Sequence, residues 1–185
     1  MRINTKVLHS GYTPENGGTH VLPIYQSTTY RYDSTEHVGK LFDLAVPGHM
    51  YSRISNPTVV AVEDKIADLE GGVGALCVTS GQMANFLALT NILGAGDHVV
   101  SSPAVYGGTI NLLAVTMKRL GIEVTFIDAR SSEEELSKAF RPNTKAMFGE
   151  TIANPAIDVL DIEKFARVAH RHGVPLIVDN TFATP

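Results

Sequence analysis

Apolar and polar positions fall into two regimes along the chain. Residues 1–55 scatter Gly, Pro, Thr, Tyr and His with little sustained period, which predicts an irregular arm. From residue 56 onward helix and strand signals alternate. Asn56-Pro57 supplies an N-cap and an N1 proline. Val59, Val62, Ile66 and Leu69 then recur at helical spacing until Gly71 and Gly72 stop the helix. The apolar run Ala75–Thr79 reads as a short strand, and a helix starts near Gln82. Strands are predicted over Asp97–Ser101, Ile122–Ile127, Lys145–Glu150 and Val174–Asp179. Helices are predicted over 108–119, Ser132–Phe140 and Asp161–His172. Acids in the first turn of Ser132–Phe140 suit the positive end of its dipole. Ile162, Phe165, Ala166 and Ala169 share one face of the last helix, and Gly173 follows it.

Short, near-continuous apolar strands alternating with helices predict an α/β fold, a mostly parallel sheet covered by helices on both faces. The expected organisation is an arm over 1–55 followed by an α/β domain over 56–185. The chain stops at Thr184-Pro185, just beyond a strand, an odd place for a complete domain of this class to end.

Composition narrows the function classes. Of 185 residues, 44% are apolar and 18% charged, a globular balance. A net charge of −4 gives no reason to expect nucleic acid or an anionic membrane as partner. The apolar runs are too short to span a bilayer, and Met1–Gly11 has no apolar signal core. The single cysteine, Cys77, cannot form an internal disulfide, which suits the cytoplasm, and its apolar neighbours predict a buried packing residue. The seven histidines include one close pair, His170 and His172, whose spacing points them to different helix faces, so no metal site is expected.

Ligands of open α/β sheets bind beyond the carboxyl ends of strands, and three such ends carry polar residues. Thr79-Ser80-Gly81-Gln82 lies between a strand and a helix, where free N–H groups and the dipole favour an anion; a plain turn is the other reading. In Glu150-Thr-Ile-Ala-Asn154-Pro155 the Asn154 amide could meet a ligand oxygen or simply end the strand in a turn. Asp179 closes the strand Pro175–Val178 and needs a partner there: a protonated pyridine nitrogen, a helix cap or a structural ion pair. Tyr51 and Arg53 offer a hydroxyl and a bidentate fork for phosphate. Tyr106 follows another strand, where it could stack on a flat cofactor or pack locally.

Taken together, these stretches resemble the Cys/Met-metabolism family of pyridoxal-phosphate enzymes, whose fold is that of aspartate aminotransferase. The matching segments are Tyr51–Thr58, Leu69–Gly72, Ser80–Gln82, Gly94–Asp97, Tyr106–Thr109, Glu150–Pro155 and Val178–Pro185, in order over nearly the whole chain. The resemblance implies pyridoxal 5'-phosphate as cofactor. It implies that Ser80, Gly81 and Gln82 cradle the phosphate and that Tyr106 stacks on the pyridine and assists proton transfer. It places Asn154 near the ring oxygen, Asp179 on the ring nitrogen and Thr181 beside it. It further implies a homotetramer of intimate dimers, in which the arm wraps a neighbour and Tyr51 and Arg53 bind the phosphate there.

Within the family, His20–Gln26, Gly71–Ala75, Ser80–Gln82 and Glu150–Ile152 resemble the O-acetylhomoserine sulfhydrylases. Those enzymes replace acetate on O-acetylhomoserine with sulfide or methanethiol, in methionine biosynthesis. Methionine γ-lyase is the main rival, but it has a cysteine where this chain has Gly108; cystathionine γ-synthase and γ-lyase share the Tyr-Gly-Gly stretch. The family's cofactor-anchoring lysine lies in a Ser-x-Thr-Lys stretch downstream of the Asp-Asn-Thr segment. None of Lys6, Lys40, Lys65, Lys118, Lys138, Lys145 and Lys164 sits in such a context. The expectation is therefore a truncated parent enzyme whose fragment alone is inactive, with a pseudoenzyme or a non-enzymatic assembly fragment as the alternative.

Overall fold

A computed structural model describes residues 2–185, which form two compact units dividing at Cys77/Val78. The first unit holds three helices, α1 (Ile3–His9), α2 (Thr35–Phe42) and α3 (Pro57–Glu70). In α3 the Asn56 side-chain Oδ1 accepts the Thr58 N–H, Pro57 occupies the first turn, and Gly71 closes the helix at φ 67°. The arm is more ordered than its composition predicts. Ser34 caps α2, and Glu36 and Lys40 pair across one turn at 2.7 Å. Helix α1 has no side-chain cap; Lys6 instead reaches Asp68 on α3 at 2.7 Å, and Ser10 bonds the same carboxylate. Those two donors hold the Asp68 carboxyl below its usual range.

Two expectations fail between residues 72 and 80. Ala75–Thr79 forms no strand, because it pairs with no other backbone; the Cys77 N–H goes to the Glu63 carboxylate at 2.7 Å. Cys77 is consequently exposed rather than buried, as are Val73 and Leu76.

The second unit is the α/β body. Its four strands are β1 (His98–Ser101), β2 (Glu123–Phe126), β3 (Thr144–Glu150) and β4 (Leu176–Asp179). They form one all-parallel sheet in the order β2-β1-β3-β4. Its helices are α4 (Gly81–Thr90), α5 (Gly107–Asn111), α6 (Glu133–Lys138) and α7 (Ile162–Arg171); α5 runs on through a π-helical stretch, Leu112–Met117. Each of three helices starts on a capping side chain: Ser80 for α4, Ser132 with a reciprocal Glu135 for α6, and Asp161 for α7.

The period of two along the central strands divides the core between the faces. Val99, Ala146 and Phe148 pack with Leu89, Leu113 and Met117 on one side. Val100 and Met147 pack with Leu136, Phe165 and Val168 on the other. Each fully buried side chain of this size contributes about 1.5–3 kcal/mol. A buried polar cluster sits at the amino ends of the strands: His98 is fully enclosed, with its ring nitrogens 2.8 Å from the Thr144 and Thr125 hydroxyls. No described helix is long and apolar enough to cross a membrane.

Candidate active site

The opposite, carboxyl edge of the sheet carries the cleft. Strands β3 and β4 end in register, with Glu150 beside Asp179. The start of α4 and the residue that begins α5, Tyr106, come to the same edge. Together they enclose a cleft of about 210 Å³. Of the residues predicted from sequence, Gly81, Gln82, Tyr106, Asn154, Asp179 and Thr181 line it. Ser80 stands behind as the α4 cap, its hydroxyl accepting the Met83 N–H at 3.1 Å. Tyr51 and Arg53 belong to the first unit, where the Arg53 guanidinium lies 5.1 Å from the Tyr51 ring centre. The cleft is lined by residues of the second unit alone.

The chemistry of the cleft is polarised. At one end, the first-turn N–H groups of α4, Gly81 and Gln82, have no intrahelical acceptor, so they and the helix dipole favour an anion. At the other, the Asp179 carboxylate is tightly held. Its Oδ1 accepts the Thr181 N–H at 3.1 Å and the Thr181 hydroxyl at 2.5 Å, and its Oδ2 accepts the Asn85 amide at 2.8 Å. Tyr106 lines the same cleft, half exposed, with its N–H donated to Glu150 Oε2 at 2.6 Å. The Gln82 side-chain oxygen is buried with no partner, the sole such atom among the described residues.

Sequence reasoning missed Asn85, Thr109, Glu150 and Phe182 as lining residues. Glu150 is only 3% exposed; burial pushes its carboxyl up, the Tyr106 N–H works against that, and the Asp179 charge adds to it. Gly108 allows the Tyr106 ring and the Gln82 amide to converge: a Cβ there would stand 2.5 Å from the Tyr106 ring and 2.6 Å from the Gln82 nitrogen.

The model of one family, described as Cys/Met metabolism PLP-dependent enzyme, matches residues 4–185. The chain belongs to that family. It is 51% identical over 183 residues to an O-acetyl-L-homoserine sulfhydrylase of Corynebacterium glutamicum, covering 98% of this chain and 42% of that protein. It is 48% identical to O-acetyl-L-homoserine sulfhydrylase 1 of Thermus thermophilus, over 98% of this chain and 44% of the relative. A Campylobacter jejuni crystal structure, described as an O-acetylhomoserine (thiol)-lyase with N'-pyridoxyl-lysine-5'-monophosphate, superposes with a TM-score of 0.93 at 38% identity. That match covers 100% of this chain and 45% of the other. This member of the pyridoxal-phosphate family thus spans less than half the length of these relatives, and its parallel sheet and flanking helices carry their fold.

Proposed function

We propose that this chain supplies most of the cofactor cradle of an O-acetylhomoserine sulfhydrylase, which exchanges the acetate of O-acetylhomoserine for sulfide or methanethiol to give homocysteine or methionine. The observation that carries the reading is Asp179, fixed at the carboxyl end of β4 across the cleft from the free N–H groups of α4. These residues fit pyridoxal phosphate: a carboxylate for the pyridinium and an anion site for the phosphate. Bound there, the cofactor supplies an electron sink for charge developing on the substrate carbons.

The protein's own groups divide the remaining work. The Gly81 and Gln82 N–H groups orient the phosphate, with Ser80 holding the turn. Asp179, steadied by Thr181, keeps the ring nitrogen protonated, and Asn154 faces the ring oxygen. Tyr106 would cover the ring and, through its phenolic hydroxyl, assist proton transfer at the substrate. Tyr51 and Arg53 reach the phosphate of a neighbouring subunit, the arm over 1–55 wraps that neighbour while 56–185 carries the cofactor domain, and the assembly is a cytoplasmic homotetramer. Among the lysines of this chain none meets the family's anchoring context, so the chain alone does not turn over substrate. A cysteine in place of Gly108, as in methionine γ-lyase, would push Tyr106 and Gln82 apart, and this favours the sulfhydrylase.

The test uses the protein as its native gene encodes it. Supplied with pyridoxal phosphate, O-acetylhomoserine and sulfide, it should release homocysteine and acetate. Release of methanethiol from methionine with no use of O-acetylhomoserine would transfer the assignment to the lyase.

A further inference from the structure

Asn85 lies in the middle of α4, 9% exposed, among apolar neighbours such as Phe86 and Leu89. Asparagine is a poor helix former, and a buried amide costs stability unless it is bonded, so a leucine here would serve folding alone better. Its amide faces Asp179 Oδ2 at 2.8 Å, and Thr109 Oγ1 stands 3.5 Å from the same nitrogen. A carboxylate only accepts, which fixes the nitrogen rather than the oxygen of Asn85 on that side. Each carboxylate oxygen has two acceptor sites. Thr181 fills both on Oδ1, and Asn85 takes one on Oδ2, which leaves a single site on Oδ2. Asn85 lies four positions after Gly81, a rise of about 6 Å along one rigid helix, the scale of one substituted aromatic ring.

We propose that Asn85 is a positioning residue for Asp179: it holds Oδ2 from the same helix whose first turn faces the phosphate, so α4 sets the spacing between the two ends of the cofactor. The inference rests on the reading of Asp179 as the partner of the ring nitrogen. Asn85 touches no reacting atom; it acts by stopping the Asp179 carboxylate from rotating and by aiming its one open site.

The experiment is a double-mutant cycle of Asn85→Ala and Asp179→Asn in the protein as its native gene encodes it. Two quantities are read: the dissociation constant of pyridoxal phosphate, and the ring-nitrogen chemical shift of ¹⁵N-labelled cofactor. Asn85→Ala should weaken cofactor binding about tenfold, the scale of one charge-assisted hydrogen bond, and move the ring shift toward neutral pyridine. In the Asp179→Asn background the same change should cost less than about twofold. The nearly isosteric Asn85→Leu, which fills the space without a donor, should behave like Asn85→Ala, and it carries the cycle if the alanine variant folds poorly. Equal losses in both backgrounds, or an unmoved ring shift in Asn85→Ala and Asn85→Leu while Asp179→Asn moves it, would overturn the role of Asn85. An Asp179→Asn variant with wild-type affinity and shift would instead overturn the underlying reading of Asp179.

Discussion

Replacing Glu150 separates its role as an acceptor from its charge. The side chain is 3% exposed and takes the Tyr106 N–H at 2.6 Å, at the start of α5. Glu150→Ala strands that N–H and opens a hole under Tyr106. A stranded buried donor costs about 1–3 kcal/mol, and water reaching through the cleft brings the figure to about 1–2 kcal/mol. Glu150→Gln keeps an acceptor oxygen of the same reach and should cost about 0.5 kcal/mol or less at mildly acidic pH. Burial raises the Glu150 carboxyl above its ordinary value of 4.5, so the folded state holds a proton that the unfolded state releases. The stability this proton provides is complete below about pH 4.5 and is lost as pH rises through the raised pKa. The wild type should therefore lose stability relative to Glu150→Gln as pH increases above that value. Urea unfolding followed by circular dichroism, across that range, measures both effects on the gene-encoded protein. Equal stability of the alanine and glutamine variants, or a wild type that loses ground to Glu150→Gln on acidification, would refute the reasoning.

Two further predictions concern the scaffold. Burial, then the nearby Arg141, lowers the His98 pKa from 6.5, so its contribution to stability is present above about pH 6.5 and lost as pH falls from there toward the lowered value. His98→Phe should remove a slope of at most about 1.4 kcal/mol per pH unit from the acid limb of stability, and an unchanged limb would contradict the assignment. Gly11 has φ 86°, and a side chain there would overlap the Ala61 carbonyl of α3. Gly11→Ala should therefore cost about 1–2 kcal/mol or more and raise hydrogen exchange in α1; wild-type protection of α1 would show the contact to be dispensable.

What the sequence made legible was local chemistry. Asn56-Pro57, Ser80 and Ser132 mark helix starts because their caps lie within three residues, and the apolar pulses of β1, β3 and β4 read as strands of a covered sheet. The ordered motifs placed six of the nine candidate residues in one cleft. The rest depended on distant partners. Asn85 looks like a stray polar residue in an apolar helix until Asp179, 94 residues away, comes beside it. Helix α1 lacks a cap and is tied by Lys6 to Asp68, 62 residues on. Ala75–Thr79 has the composition of a strand, but a strand also needs a neighbour with which to pair, and composition cannot supply one. The cap and salt pair of α2 were written locally in Ser34, Glu36 and Lys40, and were obscured by the turn-rich residues around them.

In the proposed function, Asp179 and the start of α4 grip opposite ends of one cofactor. A crystal structure of the gene-encoded protein with pyridoxal phosphate tests it directly. The ring nitrogen is expected within about 3 Å of an Asp179 carboxylate oxygen and the phosphate on the N–H groups of Gly81 and Gln82. A cofactor bound elsewhere, or bound here with its phosphate toward Asp179, would contradict it.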